Sequence, residues 1–386
     1  MTDPSTTAPV PAPVSTSPLV PTASANTVNY RALTEPVTKP QVRLFRAQTK
    51  AAQRADPGLA TGLSTTTTVA SIVGLTIAGV VFLPLVLFTL IGVVSTAASG
   101  AGGGGAAIAL VAFLLVGLGL VALVVILVIH NSDGNWTLWM RLTQFATDNG
   151  LRFRTRSPNP SYQGMIFHVG DSRFAYNHLN SITGRFFDVG SFQYGTGSGK
   201  SREIHKWGFI ALQLDRRLPN MVLDAKANNG IFGMSNLPVT LSKDQVLSLE
   251  GDFNEHFTLY CPKEYETDAL YVFTPDLMAL LIDDADAFDV EIVDDWMFVY
   301  SRAPFTLLNP AMMARIFSII GTVGTKTVTQ TENYHDDRVG TFASNIVAPQ
   351  GQRLRHSVSL AAIIIVVVVV GGWLFGTVSS LGIFAQ

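Results

Sequence analysis

Residues 194–214 read YGTGSGKSREIHKWGFIALQL, and the fold class turns on whether the glycine-rich half is a phosphate loop. Such a loop needs a glycine six residues before the lysine of Gly-Lys-Ser, between a buried strand and a helix N-terminus. Gly199, Lys200 and Ser201 are in place, but Tyr194 occupies the first glycine's position and Gly195 comes one residue late. Residues 202–215 do not have the pattern of a helix. Ile210, Leu212 and Leu214 recur at every second residue, the period of a strand. The stretch therefore reads as a glycine-rich hairpin loop joining two antiparallel strands. A serine nucleophile elbow at Ser198 fails too, because Thr196 and Lys200 stand where glycines are needed.

Outward from this hairpin, the segments GMIFHVG (164–170), RFFDVGSFQY (185–194), NMVLDA (220–225), QVLSLEG (245–251) and FTLYCP (257–262) read as further strands. FDVEIVDDWMFVYS (288–301) alternates on both sides of Asp294-Asp295 and reads as a second hairpin. DGNWTLWMRLTQFATDNG (133–150) has apolar residues at helical spacing and a stop at Asn149-Gly150. TPDLMALLIDD (274–284) and NPAMMARIFSIIG (309–321) each open with a capping residue followed by Pro. Strands and helices do not alternate regularly, so the expectation for residues 131–320 is an α+β domain. Residues 321–357 read as a polar linker or helix.

The chain has 386 residues, 48% of them hydrophobic, and a net charge of -2. Nothing in that balance supplies the basic face a nucleic-acid partner requires. Three uncharged apolar stretches, 69–94, 106–129 and 358–378, are each long enough for a helix to cross a bilayer. They predict a two-helix transmembrane hairpin over 69–129 and a third transmembrane helix over 358–380. Basic residues flank the spans on one side only, which places the N-terminus and central domain in the cytoplasm of a multi-pass inner-membrane protein and the C-terminus outside. No basic, apolar leader opens the chain, and the lone Cys261 excludes an internal disulfide.

Residues 1–40 are rich in Pro, Ser and Thr and read as a disordered tail. Residues 41–68 form a basic juxtamembrane segment. Arg43, Arg46, Lys50 and Arg54 fall at steps of three, four and four, so a helix lines them up beside an apolar stripe of Leu44, Ala47, Ala51 and Ala55. That pattern suits an interfacial helix on anionic lipid. Lys200 and Arg202, with His205 and Lys206 nearby, make the glycine-rich loop a second candidate for an anion or lipid headgroup.

No histidine or cysteine spacing indicates a metal, and no cofactor motif is present. DDADAFD (283–289) has the acids of a calcium loop without its glycine or distal glutamate, and reads as a solvated helix end. His256 lies among Glu250, Asp252 and Glu255, the one place where acid–base chemistry is suggested. The run 247–284, LSLEGDFNEHFTLYCPKEYETDALYVFTPDLMALLIDD, with 288–300 after it and 195–229 before it, resembles a family of actinobacterial integral membrane proteins of unassigned activity. The resemblance implies a membrane protein with a cytoplasmic α+β domain, and carries over no catalytic residue. The expected function is a non-enzymatic one, with a domain that binds a lipid or protein partner. The alternative is a membrane-tethered, hydrolase-like enzyme using His256 and its acids.

Overall fold

The computed structural model describes residues 28–55, 91, 94, 135–230, 235–249, 251–340, 345–356 and 370–373. Among the described residues seven strands form one antiparallel sheet: β1 (Leu151–Pro158), β2 (Asp171–Ser181), β3 (Phe187–Thr196), β4 (Glu203–Ala225), β5 (Val246–Leu247), β6 (Phe257–Tyr260) and β7 (Asp289–Ser301). Their order is β1-β2-β3-β4-β6-β5, with β7 also paired to β4. The 194–214 stretch is the β3–β4 hairpin, in register from Phe187↔Leu212 to Thr196↔Glu203.

β4 is one strand where alternation suggests two, and β7 is one strand where it suggests a hairpin. The physical reason is a shared corner. Gln213 pairs with Trp296 and Leu218 with Asp294, so five steps along β4 are matched by two along β7. The excess residues, Asp215-Arg216-Arg217 among them, bulge, and Asp294 takes a left-handed φ of 51°. Bulges bend the strand that carries them. Both strands turn the corner together, and neither loses its partner.

The sheet divides the core. One apolar cluster packs the sheet against helices α3 (residues 135–148), α5 (Glu266–Val272), α6 (Pro275–Ala285) and α7 (Pro310–Ile319), through Leu142, Phe145, Ala269, Leu281, Met313 and Ile316. A second, rich in aromatics, fills the opposite face with Phe192, Trp207, Phe209, Phe298 and Tyr300. The segment expected as a strand at 164–170 is a 3-10 turn, Met165–His168, laid across that face. Ile166 and Phe167 are both buried there.

Helix α7 begins at Asn309, whose side chain accepts from the Ala311 N–H at 2.9 Å. It does not stop at Gly321: a π-helical turn, Ile320–Gly324, carries it into α8 (Thr325–Thr331). Residues 345–356 return to the sheet, where Leu354 N–H donates to Asn220 Oδ1 at 3.0 Å and Leu241 bridges His356. Near the start of the described chain, α1 (Arg31–Thr34) buries Ala32 and Leu33 in the first core cluster.

The expectation of three transmembrane helices is corrected. Among the described residues no helix is long and apolar enough to cross a membrane, and the structure shows an antiparallel, sheet-rich α+β domain. The predicted spans, 69–129 and 358–380, lie outside the described residues apart from Ile91, Val94 and 370–373. The multi-pass inner-membrane topology, with its inside and outside assignments, rested on those spans and is withdrawn with them. The physical reason is that apolarity over twenty residues records an aversion to water, whereas a span also requires one continuous helix of that length.

Candidate functional site

A β-bulge builds the site. Ala175 pairs with Phe192 and Asn180 with Asp188, so β2 gains one residue on β3 between them. Asn177 absorbs the excess at φ 47°. Phe192 and Asp188 are four apart and share a face, so Ala175, five residues before Asn180, is brought to that face too. The consequence is that His178 and Asn180 turn toward the second cluster. Gly190 makes room opposite, since a Cβ there would lie 2.3 Å from His178 Cβ.

His178 Nδ1 meets both Asp188 oxygens at 2.8 Å, and its Nε2 meets Ser157 Oγ at 2.8 Å. The carboxylate only accepts, so Nδ1 carries the proton, and in the neutral ring Nε2 accepts from the Ser157 hydroxyl. The Tyr162 hydroxyl donates to Asp188 Oδ2 at 2.6 Å. Burial and the Asp188 charge push the Tyr162 phenol far above its ordinary value, so it remains a donor. His178 and Asp188 are buried, at 3% and 1% exposure, and Ser157 is half-buried.

This relay floors an open cavity of about 420 Å³ at the end of β1. Arg154 and Gln213 line it, Asn180 lies in its floor, and Phe186 and Trp296 wall it. Trp296 is held by Tyr162 at 5.3 Å and Phe186 at 5.9 Å between ring centroids. Asn180 is only 9% exposed, and its Oδ1 has no hydrogen-bond partner among the described residues.

None of these residues was singled out from sequence. β1 and β2, which carry RFRTRS and RFAYNHLN, were not among the strands expected from sequence, and nothing in either marks the bulge that sorts their faces. His178, ten residues before Asp188, would have been the only signal.

The predicted site residues lie elsewhere. Helix α2 (Lys39–Ala55) carries the basic segment and contains no acid. Its inner side meets Trp136, with the Phe45 ring at 6.3 Å and the Arg46 guanidinium 5.4 Å from the ring centroid. Arg46 thus leaves the stripe. Arg43, Lys50 and Arg54 stay exposed together with Ala47, Ala51 and Leu44, the last 60% exposed. In the β3–β4 turn Lys200 is exposed, whereas Arg202 is committed to an ion pair with Asp171 of β2. That pairing draws the Asp171 carboxyl below its usual range.

His256 ends the short helix α4 (Phe253–His256), with Asp252 and Glu255 in solvent beside it; Glu250 lies outside the described residues. Among the described residues no three His, Cys, Asp or Glu side chains are grouped to hold a metal ion. The Asp283–Asp286 stretch closes α6, where Asp286 pairs with Arg315 at 2.8 Å and Asp284 accepts from the Thr322 hydroxyl at 2.6 Å. Cys261 is buried and its thiol is pushed up to about 12 by that burial and by Glu266 and Asp268, so it is no nucleophile at neutral pH.

The fold and site define a sheet-rich α+β domain with a polar, aromatic-walled cavity. No family model matches the chain, and no curated protein does. Among solved structures, the crystal structure of the mycobacterial trehalose monomycolate transport factor A, TtfA, is similar over 50% of this chain and 92% of that one, at 14% identity and a TM-score of 0.33.

Proposed function

We propose that the chain is a non-enzymatic binding module whose helix α2 rests on a surface of anionic lipid headgroups. The observation that carries this reading is the outer face of α2. Arg43, Lys50 and Arg54 are exposed around a Leu44 left 60% exposed, with no acid on the helix to oppose them. Cations near an anionic leaflet each contribute about 1 kcal/mol, and an apolar side chain beside them adds burial at the acyl boundary.

The test is co-sedimentation of the full chain with vesicles of phosphatidylglycerol and phosphatidylcholine, against phosphatidylcholine alone. Binding to the mixed vesicles only, weakened by salt and lost in Arg43→Gln/Lys50→Gln/Arg54→Gln, supports the reading. Equal binding to both vesicles, no binding, or an unaffected triple variant overturns it.

Hydrolysis is a second reading with a specific observation in its favour, the hydrogen-bonded series Ser157–His178–Asp188. Labelling of the chain by a fluorophosphonate, abolished in Ser157→Ala, supports it. An unlabelled protein leaves the series a structural one.

A further inference from the structure

We infer that the cavity between the end of β1 and Trp296 is a binding site for a sugar, a neutral ring bearing several hydroxyls. The inference is independent of the lipid surface on α2. It begins from an amide with spare capacity. Asn180 lies in the floor of the cavity, and its Nδ2 makes no hydrogen bond with the described residues. A ligand that brings an acceptor to this amide completes it.

Two more groups are poised with spare capacity. The Arg154 guanidinium and the Gln213 amide line the cavity and make no hydrogen bond or ion pair with the described residues. Both supply N–H donors, and the Gln213 carbonyl a further acceptor. Ser157 Oγ, engaged with His178 Nε2, keeps a free lone pair at the same floor. Donors and acceptors are therefore interleaved, as vicinal hydroxyls require, since each hydroxyl both donates and accepts.

The wall decides between a polyol ring and a simple anion. Trp296 and Phe186 stand edge to face, 5.9 Å apart, and present apolar surface that the C–H face of a pyranose covers and a carboxylate or phosphate does not. Arg154, the cation of the lining, shares the cavity with Asp188, so no net positive field selects an anion. An acyl chain is excluded by the polar floor it would bury. The cavity volume, about 420 Å³, falls within the roughly 300–1,000 Å³ typical of small-ligand sites.

The test is saturation-transfer NMR on the full chain with glucose and maltose at millimolar concentration, with citrate as a competitor. Transfer to the ring C–H protons is expected for at least one sugar, with affinity at least tenfold weaker in Arg154→Ala or in Gln213→Ala. Both residues are partly solvent-exposed, and thermal unfolding verifies that the variants fold. No transfer to either sugar from the wild-type chain overturns the inference. So does transfer undiminished in both variants, or displacement by citrate at lower concentration than the sugar itself.

Discussion

The Tyr300 hydroxyl donates to Glu291 Oε2 at 2.7 Å, although the two residues are nine apart on the same strand. A straight strand would hold them about 30 Å apart. They meet because β4 and β7 bend together at Asp294, and the Met165 N–H closes the same knot by donating to Glu291 Oε2 at 2.8 Å. The corner that folds the sheet thus buries a carboxyl between its two arms.

That burial makes stability depend on pH. Glu291 is raised from 4.5 to about 7, first by loss of water, against the pull of its donors. A carboxyl whose pKa is higher folded than unfolded binds its proton more tightly in the folded chain. Its favourable contribution is complete below about pH 4.5 and is lost as the pH rises to about 7, a difference of about 3 kcal/mol. Asp289, two residues earlier and raised to about 7 chiefly by burial, acts in the same direction. Glu291→Gln keeps an acceptor for both donors and removes one of these titrations. Urea unfolding at pH 5 and pH 8 should show a smaller loss in the variant.

Gly190→Ala should dismantle the candidate site from behind. Its Cβ would lie 2.3 Å from His178 Cβ and 2.7 Å from His178 Cα, backbone-fixed atoms that cannot swing away. A loss of about 2 kcal/mol or more is expected, together with a changed imidazole environment. Thermal unfolding and the His178 ring resonances report the two effects separately.

Tyr162→Phe removes one donor from the buried Asp188 carboxylate and keeps the ring packed on Phe167 and Trp296. The expected cost is about 1–2 kcal/mol, because the acceptor is charged and His178 still satisfies it. A stability within error of wild type in urea would show that Asp188 does not rely on Tyr162.

Asp336 fastens the segment 345–356. It accepts from the Tyr265 hydroxyl at 2.7 Å, the Ala348 N–H at 2.9 Å and the Arg338 N–H at 3.0 Å, and pairs with the Arg338 guanidinium at 3.2 Å. Burial alone would raise its pKa, but these donors outweigh it and hold the carboxyl below its usual range. With a depressed folded pKa, its contribution is present above about pH 4 and lost as the pH falls further. Asp336→Asn should cost about 2–3 kcal/mol and speed tryptic cleavage at Arg353 and Arg355, measured by limited proteolysis at neutral pH.

Local chemistry is the part that the sequence by itself determined. The missing glycine at Tyr194 and the alternation of Ile210, Leu212 and Leu214 were enough to reject a phosphate loop and define the β3–β4 hairpin. The Pro-initiated helices at 275 and 310 and the stop at Gly150 come from fixed backbone angles, properties of a few adjacent residues; of the two expected caps Asn309 makes its side-chain bond and Thr274 does not. The stripe on α2 was legible for the same reason, except that only packing against Trp136 could remove Arg46 from it. The three spans that hydropathy predicted lie almost wholly outside the described residues, among which no helix is long and apolar enough to cross a membrane.

Tertiary structure alone decided the rest. Whether Asp294 closes a hairpin or bends a strand depends on the register against β4, set by residues some eighty positions away. The cavity needs the bulge at Asn177, the gap at Gly190 and the crossing of Tyr162 over the sheet, which come from three separate segments. Alternation assigns each side chain to a face only while the ladder stays in step. At both bulges it slips, and which groups meet there is fixed by the partner strand.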